Sequence, residues 1–264
     1  MKIYHLRNAS FIIETKNNFI LIDPMLGDVG TIPPFSKKRF VAKRNPTVSL
    51  PENASNMLKK VTHCLITHSH TFGLKALQHT DHLDKDGEKF LKENIIPVVC
   101  RKKDKSFLLK NGLKVEQSLS VWKPEKFLDG EIMSVPATHG RGFVKNIMAN
   151  GVGFFITLPD EPSIYISGDT VFTKDVKKIF TKFKPDISVM ASGSAQLDFG
   201  KPILMTMDEL LLFSKYAPGK VIANHLESLN HCPTSRKDIQ EAIDNENLGH
   251  KVYIPFDGEV LKIS

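Results

Sequence analysis

Short apolar runs of strand length recur along the chain and alternate with polar stretches of helical periodicity. Residues 2–4, 10–15 and 18–22 have the composition of strands, and a tight polar link at 16–18 predicts a hairpin between the last two. Residues 61–66 predict a buried strand. Further strands are predicted at 95–100, 131–135, 151–158, 163–167, 187–191, 220–223, 252–255 and 259–263, and helices at 83–94, 104–110, 174–183, 207–216 and 235–245.

The order of these elements indicates the fold class. A strand-rich start is followed by strand–helix alternation, then by more strands and a second alternation, and no low-complexity linker interrupts the order. This pattern is typical of an α/β (α+β) chain in which two mixed sheets pack face to face with helices outside. We therefore expect one domain that spans residues 1–264.

Segment 25–58 departs from this pattern. It is rich in proline and glycine and contains the basic clusters Lys37-Lys38-Arg39 and Lys43-Arg44. A connection of this length without regular structure is typical of a functional lid or of a solvated loop. The sequence leaves both interpretations open for this basic loop.

Composition and charge narrow the classes of partner. The formal net charge of +7 favours acidic ligands, so we expect a small anionic substrate. The basic residues lack the aromatic interleaving of nucleic-acid-binding modules, and no apolar run is long enough to span a bilayer. Cys64, Cys100 and Cys232 are too few for a disulfide framework, which predicts a cytoplasmic protein. The oligomeric state is left open, a homo-oligomer included.

Segment 61–84 concentrates the candidate chemistry. Its apolar run ends in Thr-His-Ser-His, and His79-Thr-Asp-His-Leu-Asp follows after a spacer. Five potential ligands therefore lie in one strand-to-helix passage: His68, His70, His79, Asp81 and His82. Imidazole and carboxylate together suit borderline divalent ions, of which zinc is the leading candidate and manganese and iron(II) are alternatives.

The same arrangement recurs elsewhere, because a His or Asp directly follows an apolar strand at Asp23, His68, His139, Asp169 and His225. One histidine after a strand is usually an ordinary loop residue. Repeated at five strand ends, the arrangement predicts one metal site, since ligands at the ends of core strands are held rigidly and point into a shared crevice.

This series of motifs resembles the metallo-β-lactamase superfamily of hydrolases, and within it the branch that includes L-ascorbate-6-phosphate lactonase. The resemblance covers nearly the whole chain and implies a four-layer αββα sandwich. It also implies two divalent metal ions and an activated water that attacks a small anionic ester, lactone or phosphoester. The alternatives are a phosphodiesterase or nuclease of the same fold and a degenerate scaffold that binds ligand without turnover.

The resemblance also implies a role for each residue that matches the family pattern. His139 would join the first histidine pair on one metal, Asp81 and His82 would bind the second with His225, and Asp169 would bridge the two. Asp81 and Asp169 are the predicted catalytic carboxylates. Asp23 would support the site from behind, a role that Asp84 could share if it does not simply begin a helix.

The family signature His-x-His-x-Asp-His is interrupted in this chain. Either His68 and His70 form the ligand pair, or His68 pairs with His79, which keeps the local His-x-Asp-His spacing up to His82. The local spacing favours the second alternative and would leave His70 spare. A third alternative is a site that the insertion has degraded to one metal or none.

Three residues outside the ligand set are candidates for substrate binding. Glu227 and His231 lie beyond the last ligand, and Arg141 follows His139 closely. Glu227 and His231 could contact substrate or supply a proton to a leaving group, and Arg141 could meet an anionic group. The competing interpretations are hydrogen bonds that hold the loop and ordinary surface charge.

Overall fold

The computed structural model describes residues 1–74, 78–148 and 151–263, apart from the side chain of Ile147. The described strands in chain order are β1 Lys2–Arg7, β2 Ser10–Glu14, β3 Phe19–Ile22, β4 His63–Ile66, β5 Val98–Arg101, β6 Val115–Leu119, β7 Pro124–Phe127, β8 Gly130–Pro136, β9 Val152–Thr157, β10 Ile164–Ile166, β11 Ile187–Ala191, β12 Lys220–Asn224, β13 Val252–Tyr253 and β14 Val260–Lys262. They form two seven-stranded sheets with the orders β14-β1-β2-β3-β4-β5-β6 and β13-β12-β11-β10-β9-β8-β7.

Both sheets are mixed. In the first, β1, β2 and β3 are antiparallel, whereas β3 to β6 run parallel. In the second, β7 to β10 are antiparallel and β10 to β13 parallel. Parallel strands end at the same edge of a sheet, so residues that follow β3, β4, β10, β11 and β12 can converge there.

Six of the seven described helices, all except the short fourth one, cover the outer faces of the sheets. The helices are α1 Ala54–Leu58, α2 Lys85–Glu93, α3 Lys105–Lys110, α4 Val144–Ile147, α5 Lys174–Lys182, α6 Met207–Tyr216 and α7 Arg236–Asn245, with a 3-10 turn at Lys102–Asp104 before α3. One apolar cluster lies between the sheets, a second joins sheet two to α5, α6 and α7, and a third joins sheet one to α1, α2 and α3. The predicted sandwich of two mixed sheets with outer helices is confirmed.

The prediction missed the edge strands β6 and β7 and the short helices α1 and α4. The sequences of β6 and β7, VEQSL and PEKF, are mostly polar because each strand has a solvent-exposed side at the edge of its sheet. The basic loop 25–58 contains only α1 as a regular element, and a bridge between Ile32 and Asn45 closes part of it. No helix among the described residues is long and apolar enough to cross a membrane.

Candidate metal centre

Seven buried or half-buried side chains meet where the strands end. Their potential ligand atoms fall into two groups, each with all its atoms within 4.8 Å of one another. The first group is His68, His79 and His139, and the second is Asp81, His82, Asp169 and His225. The first group has three ligands, the number that leaves an open position on a tetrahedral divalent ion, and the second group has four when Asp169 is included.

Asp169 connects the two groups. Its Oδ2 lies 3.2 Å from Nε2 of His82 and 3.6 Å from Nε2 of His225, both in the second group. The same oxygen lies 3.6 Å from Nε2 of His139, in the first group. Gly168 makes the approach of Asp169 feasible, because it has a φ of +60° and a Cβ there would lie 2.6 Å from the carbonyl oxygen of Val152.

Several of these ligand atoms are buried without a hydrogen bond to any described residue. Nε2 of His68, His82 and His225 and Oδ1 of Asp169 have no hydrogen bond. Leaving a buried polar atom unpaired costs free energy, about 1–3 kcal/mol each. Because the four atoms belong to the two groups, the donor set fits divalent metal ions.

Asp23 fixes the orientation of two histidines, as predicted for a residue behind the site. Its carboxylate accepts hydrogen bonds from Nδ1 of His82 at 2.9 Å and from the hydroxyl of Thr67 at 2.7 Å. Nδ1 of His68 in turn lies 3.0 Å from that hydroxyl. A hydrogen bond at Nδ1 leaves Nε2 free for a metal ion. The hydrogen bonds to Asp23, directly from His82 and through Thr67 from His68, therefore set the tautomer of both rings.

The other three histidines are held by different groups. Nδ1 of His139 lies 3.1 Å from the carbonyl oxygen of Ile203, to which it can donate. Nδ1 of His225 lies 3.6 Å from Sγ of Cys232. Nε2 of His79 is 3.3 Å from the hydroxyl of Thr71, which leaves Nδ1 of that ring available.

Burial keeps the first group uncharged. It lowers the pKa of His68 well below the ordinary value and the pKa of His79 to about 4. Burial likewise lowers the pKa of His139, although Asp169 opposes the shift. Neutral imidazole is the form that binds a metal ion.

In the second group, the attraction between carboxylates and imidazoles favours the charged forms of His82 and Asp169. Burial alone would lower the pKa of His82, but the carboxylates of Asp169, Asp81 and Asp23 outweigh it and raise that pKa well above the ordinary value. Burial would raise the pKa of Asp169, yet the neighbouring histidines, His82 and His225 foremost, hold it well below the ordinary value. A metal ion that binds here would compete with a proton on His82.

His70 lies outside both groups. Its ring stacks on Phe107 at a centroid distance of 4.1 Å, and its Nδ1 lies 3.8 Å from the buried carboxylate of Asp104. The backbone explains how His79 reaches His68 instead: His70 pairs with Gln78 in an isolated bridge, and the amide of His79 donates to the carbonyl of Ser69 at 2.9 Å. Positions 75–77 of the predicted spacer lie outside the described residues.

Asp84 takes the second of its two predicted roles. Its carboxylate accepts a hydrogen bond from the amide of Gly87 and so caps α2, and it also accepts from the amides of Leu26 and Gly27. These contacts anchor the start of the basic loop 25–58.

Two of the three predicted substrate contacts are engaged elsewhere. Arg141 donates to the carbonyls of Pro202 and Leu204 and pairs with Glu209. Glu227 accepts hydrogen bonds from the amide and guanidinium of Arg236. These contacts match the loop-holding alternative.

His231 faces a cleft of about 450 Å³ that opens beside the two groups. The described lining residues are Phe35, Thr71, Phe72, Gln78, His79, Asp81, His139, Met148, Leu197, Ile203 and His231. His231 packs edge-on against Phe35, and burial lowers its pKa to about 4. No pattern in the sequence indicates this apolar lining or the roles of Thr67, Thr71 and Ile203, because those roles depend on contacts that form only in the folded chain.

Comparison with known proteins finds relatives that match almost the whole chain. No protein-family model matches the chain. It is 29% identical over 263 residues to the UPF0173 protein YddR of Bacillus subtilis (strain 168), with 98% of each chain covered. A crystal structure of a possible metal-dependent hydrolase from Veillonella parvula DSM 2008 has a TM-score of 0.88 at 28% identity, over 100% of this chain and 99% of that one.

Two further solved structures bear on function and fold. An isothiocyanate hydrolase from Delia radicum gut bacteria has a TM-score of 0.86 at 29% identity, with 100% and 99% of the chains covered. The metallo-β-lactamase fold protein YhfI of Bacillus subtilis has a TM-score of 0.63 at 10% identity, over 98% of each chain, which is a likeness of fold alone. The chain is a hydrolase with the metallo-β-lactamase fold, and its His/Asp cluster could hold metal.

Proposed function

We propose that the chain is a dinuclear metal-dependent hydrolase. The first ion would be bound by His68, His79 and His139, the second by Asp81, His82 and His225, with Asp169 between them. The observation that carries the proposal is the position of Asp169 Oδ2, within 3.2–3.6 Å of a histidine nitrogen in both groups. Zinc is the ion that an imidazole-rich set favours, with manganese and iron(II) as alternatives.

Two ions held in these groups would supply an activated water and polarise the electrophilic centre of the substrate. Asp81 belongs to the second group and also lines the cleft, so its carboxylate can orient the attacking water and accept its proton. Neutral His231 can donate a ring N–H to a polar atom of the substrate. A substrate that packs against the apolar residues of the cleft would displace water, which would strengthen these polar interactions.

We propose further that the substrate is a small, uncharged and mainly apolar electrophile. Five of the described lining residues are apolar, namely Phe35, Phe72, Met148, Leu197 and Ile203, and no described lining residue is a lysine or arginine. The relative from Delia radicum gut bacteria is named an isothiocyanate hydrolase, and isothiocyanates are electrophiles of this kind. The lining and that relative together support isothiocyanates as the leading substrate class.

A small anionic lactone or phosphoester, as in the ascorbate-6-phosphate lactonase branch, is the second candidate. The observation in its favour is the basic loop 25–58, which lies near the cleft. Arg39 donates to Gln196 and Gly200, on either side of the cleft residue Leu197, and Lys37 and Lys38 are exposed beside it. Their charges could attract an anion to the cleft.

A substrate panel on the zinc-loaded protein separates the candidates. The panel pairs benzyl isothiocyanate with an uncharged lactone, dihydrocoumarin, and with an anionic phosphodiester, bis(p-nitrophenyl) phosphate. We expect kcat/KM for the isothiocyanate to exceed that for the phosphodiester by about 10-fold or more, because the apolar lining favours an uncharged apolar substrate and offers an anion no described lysine or arginine in addition to the metal ions. Asp169→Asn, measured in parallel, should abolish turnover of every substrate.

Each contrary result has a definite meaning. A preference for the phosphodiester would establish the anionic class. Less than one equivalent of metal together with no turnover on the whole panel would refute the hydrolase proposal and support a non-catalytic scaffold.

A further inference from the structure

A second cleft lies beside the metal centre and shares no described lining residue with the first. Its volume is about 490 Å³, and it is formed by residues at the ends of β5, β6 and β8 and at the start of β9. Gly151 lines this cleft and packs against His68, since a Cβ on Gly151 would lie 3.0 Å from Cβ of His68. The cleft is therefore adjacent to a metal-binding side chain without being part of the substrate cleft.

The walls of this second cleft combine two kinds of side chain. Its apolar wall consists of Leu119, Val121, Pro136, Ala137 and Val152, and Val121 is 51% exposed. Its basic wall consists of Arg101, Lys102 and Lys103, and both lysines are exposed. No described residue of the lining is acidic. A cleft of this size with a polar end and an apolar body is typical of sites for small amphipathic molecules.

The basic wall is rigidly attached to the metal-binding segment. Nε of Arg101 donates to Oδ1 of Asp104 at 2.6 Å. The other carboxylate oxygen of Asp104 accepts from both the amide and the hydroxyl of Ser69 at 2.8 Å, directly after His68. Asp104 is completely buried, so Arg101 is held as its counter-ion at the cleft wall.

We propose that the second cleft binds an amphipathic anion, with a carboxylate or phosphate head group at Lys102 and Lys103, beside Arg101, and an apolar chain against Val121 and its neighbours. The two lysines attract the head group, and burial of the exposed Val121 side chain adds a hydrophobic contribution. Binding would occur next to Asp104, whose carboxylate holds the backbone amide of Ser69, the residue after His68. This site is independent of the proposed substrate and of the hydrolysis that we infer at the metal centre.

Isothermal titration calorimetry of the zinc-loaded protein tests the proposal with decanoate and decyl phosphate as probes. Acetate tests the head group alone, and decyltrimethylammonium tests the chain with the opposite charge. The variant Lys102→Glu/Lys103→Glu reverses the basic wall, and Val121→Asp places a charge on the apolar wall. Lys182→Glu, an exposed lysine on α5, is the matched charge control.

We expect one decanoate per chain, with binding weakened at least about 10-fold by either cleft variant and changed less than about 2-fold by Lys182→Glu. Co-sedimentation with phosphatidylglycerol vesicles distinguishes a membrane lipid from a free amphiphile as the source of the head group. Equal binding of decyltrimethylammonium, or wild-type affinity in Lys102→Glu/Lys103→Glu, would overturn the proposal. Loss of decanoate binding in His79→Ala with the lysines intact would assign the probe to the metal centre and would also overturn it.

Discussion

Replacement of His79 by alanine should remove metal far more effectively than replacement of His70. His79 belongs to the three-histidine group, and its Nδ1 is left available because Thr71 contacts Nε2. Mutation of a residue that only supports a ligand typically costs about 10–100-fold in metal affinity, so loss of a ligand itself should cost at least about 100-fold. His70 contacts Phe107 and Asp104 instead, so His70→Ala should change metal affinity by less than about 10-fold.

The two variants should also differ in stability. His70→Ala removes a buried ring that stacks on Phe107, which should cost about 1–3 kcal/mol of the free energy of unfolding and lower Tm by several degrees. His79→Ala should leave the metal-free protein nearly as stable as wild type, because its ring is half-buried and its hydrogen bond to the hydroxyl of Thr71 is long, at 3.3 Å. Circular dichroism of the metal-free proteins checks that both variants fold.

Elemental analysis and competition with a chromogenic chelator measure metal content and affinity for both variants. If His70→Ala loses as much metal as His79→Ala, or more, while both remain folded, the assignment of His79 is wrong. The uninterrupted pair His68 and His70 would then be the ligands, and the arrangement around Asp104 would have to change when metal binds.

Further predictions concern the support of the site, the cleft and the proton that competes with metal. Asp23→Ala should weaken metal binding about 10–100-fold, because both His68 and His82 lose the hydrogen-bond chain that orients them; chelator competition measures this, and an unchanged affinity would contradict it. His231→Ala should lower kcat/KM roughly 2- to 10-fold through loss of one hydrogen bond to substrate, whereas Glu227→Gln should leave it unchanged because Arg236 already binds that carboxylate. Metal affinity should fall as the pH is lowered, because the raised pKa of His82 favours a proton at the ligand nitrogen; affinity independent of pH would show that His82 does not bind metal.

The strand ends explain why much of the candidate site could be predicted. Asp23, His139, Asp169 and His225 each follow an apolar run, and parallel strands bring such positions to one edge. The backbone support of His139 could not be predicted in the same way, because the carbonyl of Ile203 is distant in sequence from His139 and has no side-chain signature. Polar edge strands such as β6 were missed for a related reason: half their surface faces solvent, so their periodicity is weak.

The insertion after His70 illustrates how a motif can survive interruption. In an uninterrupted signature, the second histidine lies two residues after the first and shortly before the Asp-His pair. In this chain Gln78 pairs with His70 in an isolated β-bridge, and the amide of His79 donates a hydrogen bond to the carbonyl oxygen of Ser69. The two ends of the insertion therefore lie side by side. His79 thus reaches the side of His68, at a ring-centroid distance of 4.5 Å, while the spacing from His79 to His82 is unchanged. The inserted residues Thr71 and Phe72 line the proposed substrate cleft, so the segment that interrupts the motif also shapes the part of the site that would select the substrate.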